Sequence, residues 1–268
     1  MSAVTQIDIE SVLAAKMKRR PSRWMVWLLK KTIRQDWYND ILRRIGPYKN
    51  VDFMRRALEE LPVEVEVSGI ENLPASDQRC LFVCNHPLGG VDVLAAVATV
   101  GPHYPTQLLI PANDMLQALT PIREMLIPVN KTGGQSRDLA DKINHAFESE
   151  AQIMFFPAGM VSRRIHGVVQ DCEWKKVFVI KARDYLRQVV PVRIEAVNSA
   201  FFYWVAKIRA FLRIKLNLEM MLLPREVYRQ QGRKVRVKIG KPIPYDRFDE
   251  SKTPLQWAQE VRNLVYTL

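Results

Sequence analysis

The stretch Cys80-Leu81-Phe82-Val83-Cys84-Asn85-His86-Pro87-Leu88-Gly89-Gly90-Val91-Asp92 decides how the chain is read. Its first five residues are apolar or cysteine, follow a turn-rich segment, and have the length of a buried strand. From Val91 to Val100 the chain is almost wholly apolar and reads as a helix. A strand, a glycine-bearing loop and a helix in succession make an α/β unit, and such folds keep their reactive groups at the carboxyl ends of strands. This loop carries a histidine and, six positions on, an aspartate. An imidazole of near-neutral pKa can take a proton from a nucleophile and return one to a leaving group. If Gly89-Gly90 lets the loop curl, Asp92 can meet one ring nitrogen, hold the tautomer and leave the other nitrogen facing substrate.

Strand-like and helix-like segments alternate on both sides. Val63, Val65 and Val67 alternate with Glu64, Glu66 and Ser68, the period of a half-exposed strand. Further strands are expected at 80–84, 107–110, 126–129, 152–156, 189–194 and 235–239, and helices at 52–61, 91–100, 115–119, 136–150, 177–186 and 254–265. The fold class is therefore α/β, with a mixed, partly parallel sheet flanked by helices and preceded by N-terminal helices. Residues 1–62 are expected to form a basic helical region, and 63–268 one catalytic domain. The apolar run 201–223, with Phe201-Phe202-Tyr203-Trp204 at its start, suits either a cover for the core or a wall of an acyl-chain channel.

The formal net charge of +12 asks for an anionic counterpart. Between Lys16 and Lys31 lie seven basic residues and no acidic one, interleaved with Trp24, Val26, Trp27, Leu28 and Leu29. That mixture suits a helix lying at an anionic membrane surface. The plainer reading is a helix packed on the domain with a solvated basic face. Nucleic acid is not expected, since no zinc finger, helical basic region or RNP-like aromatic pattern occurs. Three cysteines without C-x-x-C spacing make no disulfide framework and point to a reducing compartment. The polar first 20 residues do not read as a signal peptide, and no apolar run is long enough to span a bilayer.

The motifs narrow the chemistry. Gly-x-Ser-x-Gly is absent, and Cys84 is better read as a buried strand residue than as a nucleophile. No metal is expected, because the four histidines (His86, His103, His145, His166) show neither His-Glu-x-x-His nor clustered Cys/His spacing. Gly133-Gly134 lacks the following lysine of a phosphate-binding loop. A second run, Phe155-Phe156-Pro157-Ala158-Gly159-Met160-Val161-Ser162-Arg163-Arg164, delivers two arginines after a strand and a bend. The guanidinium fork fits a phosphate or carboxylate, and Lys131 is a further anion contact; solvated surface charge is the alternative for all three. Arg137, opening a helix beside Ser136, could cap, pair or bind substrate. The economical mechanism has no covalent enzyme intermediate: His86 deprotonates an acceptor hydroxyl or amine, which attacks an activated acyl carbonyl.

With these residues in view, the chain resembles the glycerolipid acyltransferase superfamily, the lysophospholipid acyltransferases related to bacterial 1-acylglycerol-3-phosphate acyltransferase. Asn85-His86 through Asp92 is similar to that family's first block, Ile127-Pro128-Val129-Asn130-Lys131 to its second, Phe156-Pro157-Ala158-Gly159-Met160-Val161-Ser162-Arg163 to its third, and Val190-Pro191-Val192 to its fourth. The resemblance implies His86 and Asp92 as catalytic residues, with Asn85, Lys131, Gly159, Ser162, Arg163 and Arg164 binding substrate. Two departures stand out. Five residues, Pro87 to Val91, separate the histidine from the aspartate where the family has four, and Ala158 and Val161 replace a third-block glutamate and arginine. The form His-Pro-Leu-Gly-Gly-x-Asp with Phe-Pro-Ala-Gly-x-x-Ser-Arg resembles a divergent bacterial branch, hemolysin-like acyltransferases, some associated with aminolipids. What it implies is transfer of a fatty acyl group from acyl-CoA or acyl carrier protein, with no bound cofactor, to the hydroxyl of a lyso-phospholipid or lyso-aminolipid. It further implies peripheral work at the cytoplasmic side of the inner membrane, or in the cytoplasm. A thioester or ester hydrolase using water, and a non-catalytic membrane or nucleic-acid interaction protein, are the rival classes.

Overall fold

The computed structural model describes residues 6–8, 10, 22–129, 137–214 and 217–268. Lys131, residues 16–21 of the basic stretch 16–31 and the Gly133-Gly134 pair lie outside them. Three helices open the described chain, α1 (Arg23–Ile33), α2 (Gln35–Ile45) and α3 (Asn50–Glu60). Strand β1 (Glu64–Ser68) follows, then β2 (Cys80–Cys84), α4 (Val91–Val100), β3 (Leu108–Asn113) and β4 (Leu126–Val129). After α5 (Arg137–Glu148) come β5 (Gln152–Phe155), a hairpin of β6 (Arg163–Ile165) and β7 (Val168–Gln170), and α6 (Val177–Asp184). The last part holds β8 (Gln188–Glu195), α7 (Ala200–Phe211), α8 (Leu223–Arg229), β9 (Lys234–Ile239) and α9 (Pro254–Thr267).

Seven strands form one sheet in the order β1-β9-β8-β2-β5-β3-β4. The block from β8 to β4 is parallel throughout, while β9 runs antiparallel to β8 and carries β1 parallel to itself. The expected mixed, partly parallel sheet is thus present. Its centre is β2, whose five residues are all buried between β5 and β8. Alternation along this strand divides the core. Cys80, Phe82 and Cys84 pack with residues of α2, α3 and α4, whereas Leu81 and Val83 pack with Phe147 of α5, Phe178 of α6 and Trp257 of α9. Each fully buried Leu, Val or Phe contributes about 1.5–3 kcal/mol, so this strand is held hard from both faces.

The core does not break at residue 62. Ile41, Leu42 and Ile45 of α2, and Phe53, Met54 and Ala57 of α3, are buried in the same cluster as Phe82, Val190 and Val237. A buried arginine locks the opposite face: Arg187 donates to the carbonyls of Phe147 at 2.9 Å and Ala151 at 2.8 Å, tying the end of α5 to the start of β8. The hairpin β6–β7 was not expected; strands of three residues are too short to show a period.

Candidate active site

Strand β2 delivers Asn85 and His86 at its carboxyl end, and α4 begins five residues beyond the histidine. The Pro87-Leu-Gly-Gly loop folds back over the first turn of α4, with Gly89 at φ 81°, a conformation that a Cβ would strain. A Cβ there would also stand 2.6 Å from Val161 Cγ2 and 2.9 Å from Leu223 Cδ1. The five intervening residues are absorbed by this turn, and His86 Nδ1 lies 3.0 Å from Asp92 Oδ2.

Asp92 is wholly buried yet fully engaged. Its Oδ2 accepts from the Leu88 and Gly89 amides at 2.8 and 3.1 Å, and its Oδ1 from those of Gly90 and Val93 at 2.8 and 2.9 Å. Burial alone would push this carboxyl up, but the charge of His86, the bond from its ring and the loop amides hold it below the usual carboxylate range. An ionised Asp92 accepts a proton-bearing Nδ1, so Nε2 carries the lone pair and is the ring atom that can take a proton. The His86 side chain keeps 18 % of its surface exposed, with the Phe156 ring 4.7 Å from its own. Since the loop amides all point into Asp92, they are not aimed at a developing oxyanion.

A second carboxylate holds the main chain of the same histidine. Asp171, just after β7, accepts from the His86 amide at 3.2 Å, the Ser162 hydroxyl at 2.5 Å and the Trp174 indole N–H at 2.9 Å. The Ser162 amide in turn donates to the His86 carbonyl at 2.8 Å. Burial pushes the Asp171 carboxyl above its ordinary value despite these donors. Nothing in the sequence marked this aspartate, because it stands alone and the histidine its carboxylate holds is 85 residues away.

The structure brings His86, Asp92, Phe156 and Ser162 together, but gives several of the expected substrate-binding residues partners within the protein. Asn85 is buried, and its side chain prolongs the sheet, donating to the Ile194 carbonyl at 2.9 Å and accepting from its amide at 2.6 Å. Ser162 is buried, its hydroxyl turned to Asp171. Gly159, at φ 63°, makes the bend after β5; a Cβ there would come within 3.4 Å of Lys175 Nζ. Arg163 donates to Glu219 Oε1 at 2.7 Å and to the Val161 carbonyl at 2.7 Å; Glu219 is wholly buried and also pairs with Arg209 at 2.9 Å. Arg164, its neighbour on the hairpin, is exposed and lies over the Tyr203 ring at 5.4 Å. Lys131 lies outside the described residues, as does the side chain of Arg137. Ala158 packs with Leu81, Val83 and Trp174, and Val161 with Phe202 and Tyr203, so both departures from the third block are filled by apolar contacts.

Cys84 sits at the core, where burial, and then the charges of Asp92 and Asp171, push its thiol well above the ordinary value. It has neither the access nor the ionisation of a nucleophile. Among the described residues no group of His, Cys, Asp and Glu has the arrangement of a metal site, and no helix is long and apolar enough to cross a membrane.

The model of the acyltransferase family matches residues 10–268. A lyso-glycine lipid O-acyltransferase of Bacteroides thetaiotaomicron is 40% identical over 265 residues, covering 98% of this chain and 97% of that protein. A lyso-glycine lipid O-acyltransferase of Phocaeicola vulgatus is 42% identical over 265 residues, covering 98% and 95%. The crystal structure of the 1-acyl-sn-glycerophosphate acyltransferase from Thermotoga maritima superposes with a TM-score of 0.48 at 19% identity, covering 96% of this chain and 86% of that one. The hydrolase and non-catalytic rivals raised by the sequence give way to this family match over nearly the whole chain. A partly exposed imidazole backed by a buried, ionised aspartate, at the end of the central strand of a chain matched from residue 10 to 268, has one reading: the chain belongs to the acyltransferase family and is an O-acyltransferase.

Proposed function

We propose that this enzyme transfers a fatty acyl group from an acyl thioester to the hydroxyl of a lyso-glycine lipid, with His86 as general base and Asp92 as its orienting partner. The observation that carries the mechanism is the 3.0 Å contact between His86 Nδ1 and an Asp92 carboxylate kept ionised by four backbone amides. His86 Nε2 takes the acceptor's hydroxyl proton as its oxygen attacks the thioester carbonyl. The tetrahedral oxyanion collapses, the carbon–sulfur bond breaks, and the departing thiolate takes the proton from the imidazolium. Acyl-CoA or acyl carrier protein supplies the thioester, and the surplus of positive charge suits either donor.

The acceptor is suggested by the relatives' named substrate. A lyso-glycine lipid presents a carboxylate beside its acyl chain. Arg163 is committed to Glu219, which leaves Lys131 and Arg164 for the carboxylate; Arg164 is exposed on the hairpin beside Tyr203. The enzyme works peripherally on an anionic membrane, with α1 of the N-terminal region 1–62 taking part in docking: Trp24 and Trp27 are exposed and Lys31 lies over Trp27. The test is thiol release from palmitoyl-CoA and palmitoyl carrier protein, with and without a panel of lyso-lipids, for the wild type and His86→Ala. Release and a lipid product that need lyso-glycine lipid and vanish in the variant support the reading. Release without acceptor sinks it. With Arg164→Ala, KM for lyso-glycine lipid should rise about tenfold while that for an uncharged lyso-lipid stays put, the loss expected for one exposed charge-assisted contact.

A further inference from the structure

Helix α7 has two unlike faces. Phe202, Tyr203 and Ala206 are buried, the first two packing with Val161. Phe201, Trp204, Ile208 and Phe211 are exposed, Trp204 by 57% and Phe211 by 83%. Their spacing of three, four and three residues puts them on one side of the helix. Phe201 and Trp204 stack at 5.9 Å, and Leu212 prolongs the row past the helix end. Cations border it: Lys207 and Arg213 are exposed, and Arg225 lies over the Phe201 ring at 5.1 Å. Aromatic rings edged by Lys and Arg suit the boundary between lipid headgroups and acyl chains.

The start of this helix is fastened to the catalytic loop. Asn198 Nδ2 donates to the carbonyls of Pro87 at 3.2 Å and Leu88 at 3.4 Å, within the turn that joins His86 to Asp92. The Asn198 amide donates to the Tyr203 hydroxyl at 3.1 Å, and Ser199 caps α7 while donating to the buried Glu226. A force on α7 is therefore felt at the loop.

We infer that the exposed row of α7 seats in an anionic phospholipid surface and sets the catalytic loop at the headgroup level, so that a lyso-lipid reaches His86 without leaving the bilayer. This rests on the acyl-transfer reading for its purpose, though not for its geometry. The occupant is a lipid surface because the row is apolar, Lys207, Arg213 and Arg225 stand beside it, and the chain carries +12.

The full chain, the double variant Trp204→Ser/Phe211→Ser, and Leu255→Ser as a control at an exposed leucine of α9 are sedimented with phosphatidylcholine vesicles, with and without phosphatidylglycerol. Acyl transfer is assayed in parallel on vesicle-embedded lyso-lipid and on a monomeric short-chain acceptor. The double variant should bind anionic vesicles at least about tenfold more weakly than either other protein, from the lost aromatic burial. Its rate on embedded acceptor should fall with its binding, and its rate on the short-chain acceptor should match the wild type. Unchanged vesicle binding by the double variant overturns the inference, as does a wild type that ignores vesicles but dimerises through this face. If no protein acylates any acceptor, the acyl-transfer reading fails, and the vesicle arm alone still decides the docking face.

Discussion

Residue 86 is gripped at two points by two buried carboxylates, Asp92 on its ring and Asp171 on its amide. Their environments pull in opposite directions, and this separates their effects in solution. Asp92 has its folded pKa held down, so its contribution to stability is complete above the unfolded carboxylate value of about 3.9 and is lost as pH falls through the folded value. Asp171 has its folded pKa raised, so folding bears a cost that enters as pH rises from about 3.9 through the raised value. In urea melts, the stability gap between wild type and Asp92→Asn should therefore widen from acid to neutral pH, and the gap to Asp171→Asn should narrow. Parallel movement of the two gaps would refute this assignment. In rate, Asp92→Asn frees the wrong tautomer and should lower kcat by about 10²–10⁴-fold, with a nearly constant KM for the thioester. Asp171→Asn leaves at least one buried donor unpaired, costs about 1–3 kcal/mol of stability, and should lower kcat less than Asp92→Asn does.

At the scale of elements, the catalytic turn is readable because it is local: strand, histidine, glycines, aspartate and helix fall within 21 residues. Short-range spacing carries such a motif. The third-block segment is not local in this way. Arg163 follows a strand and a bend and looks like an anion ligand, yet its partner Glu219 lies 56 residues on, beyond α7. Asn85, one residue before the histidine, looks like a substrate contact and instead completes the pairing of β2 with β8. No periodicity within either segment distinguishes a side chain aimed at solvent from one aimed at another element. Two variants probe this level. Gly89→Ala should cost about 1–3 kcal/mol and lower activity, since both φ and the contact with Val161 oppose a Cβ. Cys84→Ala should keep acyl transfer, and thiol-alkylating reagents should reach the half-buried Cys172 while sparing Cys84. Inactivation of Cys84→Ala with folding intact would restore the thiol to the mechanism.

For the whole molecule, layer order was legible and edge order was not. Alternating strands and helices imply a sheet covered on both faces, and the buried faces of α3, α4, α6 and α9 follow from their apolar spacing. Which strand closes the sheet beside β1 depends on long-range pairing that no local pattern reports. The interior also holds a charge that composition does not announce: Arg187→Met should lower stability by about 2–4 kcal/mol in denaturant melts, because several buried carbonyls lose their donor.

The pairing of β1 with β9 has a bearing on how the protein comes into being. Glu66 meets Arg236 at 2.7 Å across a separation of 170 residues. A ribosome must release almost the entire polypeptide before β1 finds its neighbour, so Val65 and Val67 wait as an unpaired edge through most of translation. The nascent chain has to be kept from joining other chains along that edge, and cells lacking ribosome-associated chaperones should accumulate this protein in aggregates.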